Sequence, residues 1–349
     1  MEITTIGLDI AKRVFQVHGA DASGRAVLRR KLQRGEVLAF FESLPTACLV
    51  GIEACGTAHY WAREIAAFGH EVKLLPPAYV KPYVKRGKTD AADAEAICEA
   101  MTRPTMRAVP VKSAEQQAAL LLHRTRDLLV RQRTTLINAI RGHMAEFGII
   151  AAQGAKRVGE LVAAVMGEDE VTLPKLARQG LRLLAAELHA LEARIEQAEA
   201  AVMAWHRQSE ASCRLAAVPG IGPITASAIV ATVGDASQFR SARHFAAWIG
   251  LVPKQRSSGG KQRQGGISKQ GNPYLRRLLV VGATAVIRHM GGRLAATPSG
   301  AWAKVLLERR PARLASVALA NKTARIAWAL LAKGEAYRGV PVQARASAA

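Results

Sequence analysis

Four carboxylates in the first hundred residues could together hold a metal ion. Asp9 and Glu53 each end a short apolar segment that predicts a buried strand, and Asp90 and Asp93 lie at the start of a predicted helix. A spacing of three places the last two on one helical face. Since a carboxylate on an apolar strand is costly to bury alone, a shared cation is expected. Mg²⁺ prefers such hard oxygen ligands, and two ions about 4 Å apart would stabilise both oxygens of a phosphoryl transfer.

Simpler interpretations exist for two of these acids. Asp90 could be the N-cap of its helix, and Asp93 could be a first-turn acid that interacts favourably with the helix dipole. Each acid is weak evidence alone. The set of four, in the order strand, strand, helix, favours a metal site.

The C-terminal half is strongly cationic. The chain has 49 Lys and Arg against 27 Asp and Glu, a net charge of +22, and no acid lies between Asp235 and Glu308, where twelve basic residues are found. A solvated basic face is the alternative, but an excess over so long a stretch favours a nucleic-acid surface. The predicted contacts are Lys254, Arg256, Lys261, Arg263, Lys269 and Arg276.

Two serines lie among these cations and next to glycines. Ser257 and Ser258 precede Gly259-Gly260 in a segment that predicts a flexible loop. A serine in this setting could attack a phosphodiester, because nearby positive charge stabilises the alkoxide and the phosphorane. Residue chemistry alone leaves this open, since such loops more often only hold phosphate.

Gly220 and Gly222 form a Gly-x-Gly turn between two predicted helices. In a helix-hairpin-helix, such glycines expose backbone N–H groups that can bind a DNA phosphate, and the alternative is an ordinary helix–helix turn. The apolar block at 245–253 is interpreted as core rather than as a base-stacking surface.

Periodicity predicts an α/β domain followed by all-α structure. After about three strands in a meander, helices and strands alternate, which favours a mixed sheet flanked by helices. Long helices are predicted over 114–144 and 176–207, packed as an antiparallel pair or as a coiled coil between protomers. The expected divisions are a metal-binding domain at 1–110, a long-helix region at 111–205, a C-terminal domain at 206–335 and a tail at 336–349.

Composition argues against several protein classes. The four cysteines show no CxxC or Cys/His ligand spacing, so they are interpreted as reduced thiols. The longest apolar run, 278–287, is far shorter than the roughly 20 residues of a membrane-spanning helix. The N-terminus has no signal-peptide pattern. A cytoplasmic protein without a membrane partner is expected.

These residues carry a resemblance to a known family. The first hundred residues resemble the RNase H-like fold of RuvC-type resolvases, with Asp9, Glu53, Asp90 and Asp93 as a D–E–D–D tetrad. Residues 3–335 resemble the bacterial DEDD insertion-sequence transposases, which are bridge-RNA-guided recombinases. In that family the serine directly before glycine is the nucleophile. This serine corresponds to Ser258, and Ser257 is the second candidate. The stretch 267–272, Ile-Ser-Lys-Gln-Gly-Asn, matches the family motif that follows.

The resemblance implies DNA, a bridge RNA and further copies of the chain as partners. Homodimers would pair into a tetramer, in which the tetrad of one protomer works with the serine of another. The hypothesis is a Mg²⁺-dependent site-specific recombinase. Its alternatives are a RuvC-like nuclease that uses water, and a non-catalytic nucleic-acid-binding protein. Four acids in a phosphate-binding protein argue against pure binding, since they repel phosphate unless metal neutralises them.

Overall fold

The computed structural model describes residues 2–85, 87, 89–150, 154, 157, 159–160, 162–163, 173–290 and 297–339. Two compact units, Met1–Gln117 and Ala118–Ala349, are distinguished by their internal contacts and are described in turn. The three-domain division expected from the sequence stays a prediction, and most of the expected tail lies outside the described residues.

The first unit is built on a mixed five-stranded sheet with the order β3-β2-β1-β4-β5. The strands are β1 (Thr5–Ile10), β2 (Val14–Ala20), β3 (Ala26–Gln33), β4 (Leu49–Glu53) and β5 (Glu71–Leu75). β1, β2 and β3 form an antiparallel meander, whereas β4 and β5 run parallel to β1. The helices are α1 (Val37–Glu42), α2 (Ala58–Ala67), α3 (Pro77–Val80) and α4 (Asp90–Met101). The predicted mixed sheet flanked by helices is confirmed.

The two faces of β1 bury different partners. Successive side chains of a strand point to opposite faces. Ile6 and Leu8 therefore belong to one core cluster, together with Trp61 of α2. Gly7, between them, lies against α4 on the other face. The sheet is thus covered by α2 on one side and by α4 on the other.

Two glycines let α4 approach the sheet closely. Gly7 of β1 and Gly51 of β4 are register partners, and together they form what we call the glycine strip. A Cβ at Gly7 would lie 2.1 Å from the Ala94 carbonyl oxygen, and one at Gly51 would lie 2.6 Å from Met101 Sδ. The contact at Gly7 is with backbone and excludes a side chain there, whereas the contact at Gly51 is with the flexible side chain of Met101. The helix that carries Asp90 and Asp93 is positioned by this contact.

The second unit is mainly helical, as expected. The first of its helices, α5 (Ala114–Ala145), begins within the first unit. Its other elements are α6 (Lys175–Gln208), α7 (Glu210–Ala216), α8 (Pro223–Val233), α9 (Ala242–Ile249), α10 (Pro273–Arg288), α11 (Pro298–Leu307), α12 (Ala312–Lys333), β6 (Pro253–Gln255) and β7 (Gln264–Ile267). The antiparallel hairpin of β6 and β7 was not expected from the sequence.

The long helices α5 and α6 pack against each other in opposite directions. Leu120, early in α5, shares a cluster with Trp205, late in α6. Ile140, late in α5, shares another with Leu181, early in α6. Between these clusters the Arg126 guanidinium contacts a Glu199 carboxylate oxygen at 2.5 Å. The antiparallel pair is confirmed within the chain, and a coiled coil between protomers stays a prediction.

The apolar block at 245–253 belongs largely to the core of the second unit. Phe245, Ile249 and Leu251 are almost completely buried and pack in one cluster with residues of α10 and α12. Trp248 is half-buried against the same cluster. The interpretation of this block as core is confirmed, except at its end, where the exposed Pro253 begins β6.

Substitution of Gly7 by Ala tests the glycine strip. The added methyl group collides with the backbone of α4, so we expect the free energy of unfolding to fall by about 1–3 kcal/mol, as for other overpacked cores. Chemical denaturation measures this loss. Gly35→Ala is the matched control, because nothing lies within 4 Å of a Cβ there. Equal stability of the two variants would contradict the close packing of α4.

Candidate metal centre and serine hairpin

Three of the four predicted carboxylates meet at one end of the first unit's sheet. One ligand oxygen from each of Asp9, Asp90 and Asp93 can be chosen so that all lie within 4.8 Å of one another. Asp9 comes from β1, and the other two come from the first turns of α4. Asp9 and Asp93 are half-buried, and Asp90 is exposed. We call these three side chains the acidic cluster.

The cap of α4 belongs to a neighbouring residue. Thr89 is the N-cap, and its Oγ1 accepts a hydrogen bond from the Ala92 backbone N–H at 3.2 Å. The alternative that Asp90 caps the helix is therefore wrong. Capping does not engage the Asp90 carboxylate, which is left for the cluster.

Glu53 lies beside the acidic cluster rather than within it. The last paired residues of β1 and β4 are Leu8 and Ile52, so Asp9 and Glu53 take the next positions on neighbouring strands. Burial raises the pKa of Glu53, and the charge of Asp93 raises it further. The structure thus brings together three of the tetrad residues, and the fourth is close enough to interact electrostatically.

The acidic cluster is electrostatically unfavourable by itself. Burial, together with the charges of Asp93, Asp90 and Glu53, raises the pKa of Asp9 from 3.8 to about 6. Like charges this close destabilise each other's ionised forms unless a cation neutralises them. An all-carboxylate donor set suits a hard divalent cation such as Mg²⁺. The residues present fit a metal site.

The predicted serine loop is the tip of an ordered β-hairpin. Residues 253–267, which we call the serine hairpin, comprise β6, β7 and their connection. Lys261 N–H donates to the Ser258 carbonyl at 3.1 Å, and Gly259 and Gly260 have φ of +55° and +75°. Two central residues with positive φ are typical of a type I′ turn. Ser257 and Ser258 are both exposed at this tip.

The predicted nucleic-acid contacts fall into two groups. Lys254, Arg256, Lys261 and Arg263 are exposed along the serine hairpin. Arg276 instead has a structural contact, because its guanidinium donates to the carbonyls of Ile249 at 2.8 Å and Gln270 at 3.0 Å.

Arg277, another of the twelve basic residues, is paired with Asp127 of α5.

The motif at 267–272 holds the base of the serine hairpin. Lys269, with φ of +56°, donates its backbone N–H to the Gly250 carbonyl at 3.1 Å. Gly271 passes so close to α9 that a Cβ there would lie 1.8 Å from the Trp248 carbonyl oxygen. Asn272 caps α10 through its side-chain oxygen. Lys269, Gly271 and Asn272 therefore each have a structural contact.

The Gly-x-Gly turn joins α7 to α8, and its glycines differ in surroundings. Gly220 has φ of +87° and packs against α10, where a Cβ at Gly282 would lie 1.9 Å from the Gly220 carbonyl oxygen. Gly222 is the exposed N-cap of α8, with open space around its Cβ position. The two helices are thus joined by a turn in which Gly220 is packed and Gly222 is open to solvent. Phosphate binding there stays a prediction.

Comparison with known proteins identifies the family. Residues 6–149 match a DEDD transposase family of the IS110 type, described as "Transposase". Residues 212–297 match the family described as "Transposase IS116/IS110/IS902 family". A "Probable family 20 transposase" of Pseudomonas aeruginosa is 54% identical over 97% of this chain and 99% of that protein. The chain belongs to the IS110/IS116/IS902 family of insertion-sequence transposases.

Two further relatives are transposases of named insertion sequences. The transposase of IS1111A from Coxiella burnetii is 42% identical and that of IS1328 from Yersinia enterocolitica is 39% identical. These matches cover 97% and 96% of this chain, and 92% and 98% of the relatives. The protein is therefore a transposase, a DNA phosphoryl-transfer enzyme. Within the described part of the chain, no helix has the length and apolar character needed to cross a membrane.

Sequence reasoning alone did not find several features of these sites. The strands of the serine hairpin, the bracing contacts of Arg276 and the packing partner Gly282 were all unexpected. The two residues Gly259-Gly260 are the one local signal for the hairpin, because paired positive-φ residues favour a two-residue turn.

Replacing Asp9 with Asn separates repulsion from metal binding. The folded-state pKa of Asp9 is raised, so without metal the wild type loses stability as the pH rises from about 4 to about 6. At neutral pH in EDTA, Asp9→Asn should therefore be more stable by about 1–2 kcal/mol, allowing for partial exposure. With Mg²⁺ the order should reverse, because only the wild type gains stability from binding.

Thermal denaturation with and without Mg²⁺ measures both effects. Asp21→Asn is a suitable control, since Asp21 is an acid of the same unit that lies in the turn between β2 and β3. An equal Mg²⁺-induced rise in melting temperature for wild type and Asp9→Asn would show that Asp9 is not a ligand.

Proposed function

We propose that this transposase cuts and rejoins DNA at specific sites by attack of Ser258 on the phosphodiester. Ser258 is chosen because the resemblance makes the serine directly before glycine the nucleophile, and its exposure at the tip of a hairpin that bears four exposed cations supports this choice. Positive charge near a serine hydroxyl favours the alkoxide and stabilises negative charge that develops at phosphorus. Ser257, its neighbour, is the runner-up.

The metal-binding part of the proposal assigns Asp9, Glu53, Asp90 and Asp93 to a site for Mg²⁺, with two ions as the expected number. The mixed sheet and the position of the acids are consistent with an RNase H-like fold. When bound, such ions would polarise the scissile phosphate and stabilise charge on its oxygens. Asp9, Asp90 and Asp93 lie close together, and burial and the charges of Asp93, Asp90 and Glu53 raise the pKa of Asp9, so the site favours ion binding.

The covalent step conserves the number of phosphoester bonds. The Ser258 Oγ forms a bond to phosphorus and gives up its proton, while one P–O bond of the DNA strand breaks and its leaving oxygen takes up a proton. A strand hydroxyl can then attack the phosphoserine, which restores the serine and joins the strands. No external energy source is needed.

DNA and RNA contacts are assigned by charge and exposure. Lys254, Arg256, Lys261 and Arg263 would contact phosphates around the tip, and the open backbone at Gly222 would accept a phosphate at the N-terminus of α8. Lys269 would contact phosphate from the base of the hairpin, and Arg276 would act by bracing that base. We further propose a bridge RNA as guide, and a homodimer or homotetramer in which tetrad and serine come from different protomers. These two proposals rest on kinship.

A covalent protein–DNA adduct tests the serine mechanism. The wild type, incubated with Mg²⁺, DNA of its own element and co-purified RNA, should form an adduct that survives denaturing electrophoresis. Ser258→Ala should form none, because no other group replaces the hydroxyl. Ser257→Ala is the matched control and should retain the adduct. DNA cleavage by Ser258→Ala without any adduct would instead favour a nuclease that uses water.

The guide hypothesis has a separate test. Sequencing of RNA that co-purifies with the protein should recover one discrete transcript from the element's flanking region. Treatment with RNase before addition of DNA should abolish recombination, because target pairing would be lost. Full recombination after complete RNase digestion would contradict guidance by RNA, whatever the outcome for Ser258.

A further inference from the structure

A wide groove lies beside the base of the serine hairpin in the second unit. It is formed by α11, α12 and the hairpin, and it encloses about 1030 Å³. Sites that bury a drug-sized ligand have volumes of about 300–1,000 Å³, so one nucleotide fits this space. The Asn321 amide donates to the Leu251 carbonyl at 2.9 Å and ties α12 to the chain just before the hairpin. We call this space the basic groove.

The wall of the basic groove combines apolar and cationic side chains. Trp302 and Leu314 line it and are 38% and 52% exposed, so apolar surface faces the groove. Arg313, Lys322 and Arg325 line it as well. The Lys322 ammonium lies 4.7 Å from the centre of the Trp302 ring. Aromatic surface beside cations is the combination that binds single-stranded nucleic acid.

Charge selects the class of ligand. Residues 236–334 contain eighteen Lys and Arg and a single acid, Glu308. Neither Arg313 nor Arg325 has a salt-bridge partner in the described ranges. The unpaired cations favour a ligand with negative charge. The apolar lining favours a ligand that also carries a flat ring able to stack. A nucleotide has both, whereas an acidic peptide seldom supplies a flat ring of that size.

We propose that the basic groove receives an unpaired nucleotide of the DNA strand that the serine hairpin holds. The base would lie against Trp302 and Leu314, and the adjoining phosphates would contact Arg313 and Arg325. This inference deepens the proposed serine mechanism and rests on it for the identity of the strand.

The position of the groove along the hairpin supports DNA as the occupant. Pro253, Gly265, Gly266 and Ile267, at the hairpin base, line the groove, while Ser258 is at the tip. Five residues of extended chain span about 17 Å at about 3.3 Å per residue. Along the hairpin, the groove is then within about 17 Å of Ser258, a distance that a short single strand can span. A strand held at both points would be fixed in register with the nucleophile.

Strand affinity tests this inference on the full-length protein. Fluorescence anisotropy in EDTA compares a short thymidine oligonucleotide with an abasic strand of equal charge. Trp302→Leu should weaken binding of the thymidine strand about 5- to 100-fold, as for loss of one base–aromatic stack, and leave abasic binding unchanged. Arg325→Gln should weaken both. Arg310→Gln is the matched control, because it removes an exposed cation outside the groove.

Several outcomes would overturn the proposal. Equal affinities of Trp302→Leu, Arg325→Gln and Arg310→Gln, in variants with wild-type circular dichroism, would show that no nucleotide enters. A uridine RNA strand that depends on Trp302 more than the DNA strand would assign the groove to RNA. A change of oligomeric mass without a change of affinity would assign it to a protein contact.

The same measurements separate this inference from the serine mechanism. The binding assay contains EDTA and requires no cleavage, so its result does not depend on which group is the nucleophile. If the adduct fails to form in the wild type while Trp302→Leu still loses affinity for the thymidine strand, the mechanism is wrong and the groove remains a nucleotide site. If the groove variants bind DNA with normal affinity and the wild type forms the adduct, the groove is not a nucleotide site and the serine mechanism stands.

Discussion

The contact of α4 with the glycine strip is the constraint on which the acidic cluster depends. Gly7 and Gly51 are register partners, and a methyl group on either would collide with α4. Because Gly7 lies against the backbone of α4, a shift of the helix relative to β1 would disrupt this contact. Asp90 and Asp93, in its first turns, are therefore held beside Asp9 by backbone contact rather than by their own side chains. Repulsion among the carboxylates is opposed by this packing.

The second unit uses the same device around the serine hairpin. Gly220 packs on Gly282, and Gly250 and Gly271 bring the end of α9 against the loop that precedes α10. The hydrogen bonds of Arg276 close this junction. The hairpin itself has almost no buried side chains, so its orientation depends on these contacts at its base. In both units, the predicted site residues are carried by elements that glycine contacts hold in place.

The sequence predicts the elements that bury an apolar face and does not predict those that are exposed. Apolar runs that end in Asp9 and Glu53 identify β1 and β4, and periodicity identifies the long helices, because each of these elements buries one face. β6 is three exposed residues, so it has no apolar alternation to reveal a strand. The bracing role of Arg276 and the groove lined by Trp302 arise from elements distant in sequence. Periodicity carries no information about such tertiary contacts.

Electrostatics explains why each unit favours a ligand whose charge is opposite to that of its own site. Burial and the charges of the neighbouring acids raise the pKa of Asp9 to about 6, and a bound cation would relieve this repulsion. The region from 236 to 334 has one acid among eighteen cations and is relieved only by a polyanion. A divalent cation would neutralise the acidic cluster, and a polyanion would neutralise the basic region. The charges that destabilise each unit alone are therefore the ones that favour binding of a cation to the first unit and of nucleic acid to the second.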